Sequence, residues 1–178
     1  MADTPPVRLP RRDFVWRLAK SAGVAPIILG LLDGTLEALP KSEDTDFAVL
    51  FAALAIEHEA IDLYDHALAR GRFPAGLRDY AVEFVGDHKG HRDTQIAIVE
   101  ERGGQAPQPL SSYHHGVERS ADDAVRQCLE IEIAAQKAYL AINSQIRTKD
   151  YLLSAAFILV DEVRHMTVWQ RVLGLKIY

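Results

Sequence analysis

The sequence predicts an all-α chain: a four-helix bundle with one long crossover connection and an additional N-terminal helical arm. Three observations predict it. The 11 Gly and 8 Pro of the 178 residues fall in clusters between long breaker-free stretches. Four of those stretches have matched length, and the middle of the three connections joining them is much longer than the other two. Hydrophobic residues make up 48% of the chain, enough at this length for one real core and short of two. The expected division is residues 1–40 as an arm or leader and residues 41–178 as the bundle.

The arm comes first. Arg11, Arg12, Asp13, Phe14 and Val15, followed by the weakly polar run from Ser21 to Leu32, resemble a twin-arginine export leader. Arg17 and Lys20 follow the pair closely, and Leu36 to Pro40 makes a poor cleavage site. A run of about 12 residues is too short for a bilayer, which needs about 20. The competing reading is an ordered arm in which Phe14, Val15, Leu18 and Ala22 form one apolar helical face for the bundle, a sister subunit or a membrane surface. Location is read accordingly as cytoplasmic, or periplasmic if the leader functions. Residues 1–20 carry five basic and two acidic side chains, so the remainder holds 8 net negative charges to reach the total of −5. An acidic body argues against nucleic acid as a partner. The single Cys128 makes no intrachain disulfide.

The first bundle helix starts at Ser42, an N-cap followed by an acidic turn (Glu43, Asp44, Asp46), and runs to Gly71. The second runs from Pro74 to the Gly103-Gly104 pair, glycine being tolerant of positive φ. Ser120 with Asp123 gives a capping-box-like start to the third, which ends near Asn143, and the fourth extends from Asp150 to Gly174. Short loops make each pair an antiparallel hairpin. The segment from Gly104 to Glu118, about 15 residues at about 3.3 Å each, covers about 50 Å. A 28-residue helix is about 42 Å long, so this segment can return along the whole bundle. Its His114 and His115 read as ordinary loop surface. His58, Glu59 and Asp62 are expected to face water or a neighbouring subunit.

The helices repeat. Leu54, Ile56, Glu57, Ala60 and Tyr64 of the first have the spacing of Leu129, Ile131, Glu132, Ala135 and Tyr139 of the third. Asp87, His88 and His91 of the second match Asp161, Glu162 and His165 of the fourth. Counting at 1.5 Å per residue from the hairpin turns puts Glu57 about 21 Å along its helix, against about 20 to 24 Å for His88 and His91. The second hairpin gives about 21 Å for Glu132 against about 18 to 22 Å for Glu162 and His165. One mid-bundle layer therefore collects ionisable side chains, where each buried charge costs several kcal/mol unless compensated. A metal ion compensates, and carboxylate with imidazole suits iron, manganese or zinc.

Glu132, 28 intervening residues, and then Asp161, Glu162, Val163, Arg164 and His165 resemble the half-site of the ferritin-like di-iron carboxylate proteins. Together with Glu57, Asp87, His88 and His91, the resemblance covers roughly residues 43 to 174. It implies Glu57 and Glu132 as terminal ligands, Glu162 as a bridge, and His91 and His165 as nitrogen ligands. Asp161 and Asp87 would accept from an imidazole N–H, with Arg164 in the surrounding network. His88 departs from the pattern, since it stands where the family has a second bridging Glu and an imidazole does not span two metals as a carboxylate does. Either it binds as a third nitrogen or it swings out. Tyr64 and Tyr139 read as core packing, with a redox or hydrogen-bonding role beside the site as the alternative. Gly86 and Gly90 are expected to permit close helix contact, or to leave room for a small ligand beside His88.

The resemblance implies iron, one or two ions, with manganese or zinc as substitutes, and oxidation of Fe(II) by O₂ or peroxide. The rival is a metal-binding or assembly bundle without oxygen chemistry. Besides metal ions, the partner expectations are a homodimer and peripheral membrane contact through the arm.

Overall fold

The computed structural model describes residues 43–116 and 118–177. The arm, its arginine pair and the Ser42 cap lie outside the described residues. Four helices make up the described chain: α1 (Glu43–Ala69), α2 (Ala75–Glu101), α3 (Ala121–Asn143) and α4 (Lys149–Val172). The expected stops are where the backbone turns left-handed, at Gly71 (φ 62°) and Gly103 (φ 74°), a region a side chain penalises. The capping box at α3 is present in full. Asp123 N–H donates to Ser120 Oγ at 3.2 Å, and Ser120 N–H donates to Asp123 Oδ2 at 3.0 Å.

α1 packs against α2 and α3, and α4 against α3 and α2, which leaves α1 and α4 on the diagonal. The start of α1 is fastened to the start of α4. Buried Asp46 accepts from Arg147 N–H at 3.0 Å, Thr148 N–H at 3.2 Å and the Thr148 hydroxyl at 2.7 Å.

The crossover follows α1 from end to end. Gly104 lies so close to Phe47 and Val99 that a Cβ would meet them at 3.0 and 2.9 Å. Farther along, His58 Nε2 donates to the Pro107 carbonyl at 3.2 Å, His115 Nε2 donates to Asp62 at 2.6 Å, and Glu118 pairs with Arg72 at 3.4 Å. This corrects three expectations: His58 and Glu59 are buried, and His115 pins the crossover to α1 instead of lying free on the surface. Asp62 is exposed as expected, and its carboxylate receives the loop histidine. The long loop needs such anchors because it has no ladder of its own to satisfy its backbone.

The core falls into two clusters. One, nearer the start of α1, is mostly aliphatic and includes Leu50, Leu54, Ile142 and Ile158. The other, toward the opposite end, holds Tyr64, Phe73, Phe84 and Trp169. Gly86 and Gly90 do not serve helix contact, since a Cβ at either would meet nothing within 4 Å. They stand on the outer face of α2, exposed to solvent.

Candidate metal centre

Between the two core clusters lies a layer of six ionisable side chains: Glu57, His88, His91, Glu132, Glu162 and His165. All are buried, five of them with no exposure at all and His91 at 8%. They form two overlapping groups in which ligand atoms lie within 4.8 Å of one another. The first is Glu57, His88, His91 and Glu162, and the second is His88, Glu132, Glu162 and His165. His88 and Glu162 belong to both. The height count along the helices thus holds, and His88 points inward instead of swinging out.

His88 faces both halves. Its Nδ1 donates to Glu57 at 2.9 Å and its Nε2 lies 3.3 Å from Glu132, donating toward it. His91 and His165 behave differently, each turning Nδ1 to the centre and Nε2 outward. His91 Nδ1 is 3.3 Å from Glu162, and His165 Nδ1 is 3.4 Å from Glu132. The outward nitrogens reach aspartates of the other hairpin: His165 Nε2 lies 3.1 Å from Asp87, and His91 Nε2 3.4 Å from Asp161. Fixing Nε2–H in this way presents the Nδ1 lone pair inward.

The tyrosines also cross between repeats. Tyr64 on α1 donates to Glu132 on α3, and Tyr139 on α3 donates to Glu57 on α1. Each hydroxyl receives a bond in turn, from Trp169 Nε1 at 2.6 Å for Tyr64 and from Gln95 Nε2 for Tyr139. Both tyrosines are fully buried, so packing and hydrogen bonding coincide. Gln95 and Trp169 were not anticipated. Each lies seven residues beyond a layer residue, after His88 and Glu162, but an amide and an indole share no obvious pattern.

Charge in the layer is tightly coupled. Burial favours a neutral Glu57, but the hydrogen bond from His88 and the nearby imidazoles of His88 and His91 outweigh it and hold the carboxyl at about 2. Glu132 is likewise lowered, burial being overcome by His88 and His165. Burial disfavours a charged His91, yet Glu162 and Glu57 raise it to about 10. His88 is raised well above its ordinary value, the charges of Glu162 and Glu132 prevailing over burial. Glu162 is pushed up, chiefly by burial and also by its carboxylate neighbours. Burial and the adjacent glutamates raise both tyrosines, which remain neutral donors.

Several inward atoms form no hydrogen bond within the protein: Nδ1 of His91 and of His165, Oε2 of Glu132, and both oxygens of Glu162. Buried polar atoms in that condition are rare. They converge on the two groups above, and such oxygen and nitrogen donors fit a transition metal.

A family model described as a ferritin-like domain matches residues 45–175. No curated protein matches the chain. Among solved structures, a conserved hypothetical protein of Mycobacterium tuberculosis aligns with a TM-score of 0.69 and 29% identity, over 74% of this chain and 98% of the other. A ferritin-like diiron-carboxylate protein of Bacillus anthracis aligns with a TM-score of 0.62 and 20% identity, over 74% and 99%. A dodecameric thioferritin of Bacteroides fragilis aligns with a TM-score of 0.60 and 19% identity, over 92% and 93%. The last two establish likeness of fold.

Proposed function

Because this chain belongs to the ferritin-like domain family, we propose that it binds iron in the mid-bundle layer and oxidises Fe(II) with O₂ or peroxide. The observation that carries the reading is the pair of overlapping His/Glu groups whose inward atoms lack hydrogen-bond partners. Glu57 with His91 would hold one ion and Glu132 with His165 the other, with Glu162 within reach of both and His88 beside both as a ligand or as a hydrogen-bonding cation. Asp161 and Asp87 would orient the two terminal imidazoles. Tyr139 and Tyr64 hold the terminal carboxylates in place by hydrogen bonds. Bound iron would supply the redox chemistry, Fe(II) being the electron donor to the oxidant. The buried walls exclude bulk water from the layer. The similarity to a diiron-carboxylate protein supports the choice of metal.

A second reading concerns stoichiometry and rests on His88, both of whose nitrogens face carboxylates. Three glutamates, one divalent ion and an imidazolium at His88 are neutral, whereas two divalent ions leave an excess positive charge that a hydroxide would cancel. Elemental analysis of the purified protein, with anomalous scattering at the bundle centre, counts and identifies the metal. Fe(II) loaded without air and then exposed to it should give ferric absorbance. No more than a trace of transition metal would sink the binding reading. Bound iron without that absorbance would sink the oxidation step alone and favour a non-catalytic bundle, and native zinc or manganese would remove the redox role.

A further inference from the structure

Where the layer approaches solvent between α2 and α4, its two halves are covered unequally. Phe84 stacks on His165 with ring centroids 4.0 Å apart, and the Arg164 guanidinium lies 5.8 Å from the centre of the Phe84 ring while donating to Glu83 and Asp87 of α2. Under that cover His165 has no exposure. In the repeat, Gly90 stands where Arg164 does. It has no side chain to send from α2 across to α4 over His91, and a Cβ there would meet nothing within 4 Å. His91 is the one member of the layer that solvent reaches, at 8%. Outside it, the Asp161 side chain is 39% exposed and braced only by a 3.7 Å approach of Arg164. Of the helix pairs that pack together, α2 and α4 also make the sparsest contact.

We infer that metal ions enter the layer through this seam, at the gap left by Gly90, and pass Asp161 and His91 to reach the Glu57 half first. The inference rests on the metal-binding reading above and adds the route to it. At the lip, the partly exposed Asp161 carboxylate draws a cation toward the gap. His91 is then the last side chain between solvent and the interior. Its Nδ1 lies 3.3 Å from Glu162 and 3.7 Å from Glu57, so an ion that moves the ring outward meets carboxylates directly, and neither oxygen of Glu162 has a hydrogen-bond partner to give up. Glu162 belongs to both ligand groups and hands the ion on toward Glu132 and His165. The His165 side offers no equivalent path. A cation approaching there meets the positive charge of Arg164 and, beneath it, the ring of Phe84, which gives no ligand in exchange for lost water.

The test follows binding rates and needs no turnover. Rapid mixing of the metal-free full chain with Co(II), read by visible absorbance, gives the uptake rate, and transfer to excess chelator gives the release rate. Gly90 lies within α2 and its backbone is not left-handed, so Gly90→Arg and Gly90→Ala both favour the helix and the variants should fold. Gly90→Arg supplies the missing cover and should slow uptake and release alike, by about tenfold or more. Gly90→Ala is too short to cover His91 and should leave both rates as in the parent, while Arg164→Ala uncovers His165 and should speed uptake. Unchanged uptake in Gly90→Arg would overturn the route, because firmer bracing of Asp161 by itself acts on release alone. Slowing that disappears when parent and variant are compared in high salt would overturn it too, since charge repulsion and not a closed gap would then be the cause. A parent chain that takes up no metal would overturn the metal-binding reading itself, whereas metal bound at rates indifferent to position 90 overturns the route alone.

Discussion

The two halves of the metal layer come from one repeated hairpin, yet they are not built alike. Around Glu132 and His165 the walls are aromatic: His165 stacks on Phe84 with centroids 4.0 Å apart, and Trp169 lies against Phe73 and Phe84. Around Glu57 and His91 the corresponding positions are Ile158 and Gln95. The bracing also differs. Arg164 donates to Asp87 and to Glu83, so the aspartate that orients His165 is itself held. Asp161, which orients His91, has only a 3.7 Å approach from the same arginine. The residue matching Arg164 in the first repeat is Gly90. A duplicated motif can therefore preserve its ligands while its supports diverge, and the supports decide how well each half is held.

The largest expected effect tests that asymmetry through the metal. In stepwise titrations monitored by metal content and chelator competition, His165→Ala should abolish the tighter binding event and His91→Ala the weaker one. Each loss should exceed the roughly 10- to 100-fold typical of removing an outer partner. Equal effects would mean the halves are equivalent. Gly90→Arg sharpens the comparison, since a side chain there has free space. Bracing Asp161 should strengthen the weaker event by up to about tenfold.

Acidity gives the next effect. Glu57, held at about 2 against an ordinary 4.5, favours the folded chain above pH 4.5, and that benefit fades as pH falls through about 2. His91, raised from 6.5 to about 10, favours folding fully below 6.5, and the benefit is lost as pH rises through about 10. Glu162, raised by burial, contributes most below 4.5 and progressively less above it. Metal-free protein should therefore be most stable between pH 4.5 and 6.5, toward the acid end, and weaken on the alkaline side. Bound metal requires His91 and Glu162 to lose their protons, so loading should strengthen as pH rises. Urea midpoints with and without chelator check both slopes, and metal-free stability that climbs into the alkaline range would refute the charge assignment.

The smallest effect concerns the donors to the two tyrosines. Trp169→Phe removes a 2.6 Å bond to Tyr64 inside the aromatic cluster and should cost about 1–3 kcal/mol in urea unfolding. Gln95→Leu should cost less, about 0.5–1.5 kcal/mol, because Gln95 Oε1 already lacks a partner and its removal offsets part of the loss. The reverse order would place the firmer support on the Glu57 side.

Most of the fold was legible because helix geometry is local. Breakers set the helix ends, the rise per residue set the height of each glutamate and histidine, short loops made each pair an antiparallel hairpin, and the crossover was long enough to return along the bundle. His115 was misread because its role depends on meeting Asp62, 53 positions away in sequence. Gly86 and Gly90 were misread because spacing on one helix does not say which side faces a neighbour.

What the sequence by itself determined is a set of ligand types on shared helix faces at one level, since periodicity and rise are fixed by the backbone. Only the tertiary structure decided the cross-pairing: Tyr64 with Glu132, Tyr139 with Glu57, Asp87 with His165, and His88 between the halves. Those partners depend on which helices are adjacent and how each is rotated, and packing of the whole core sets both.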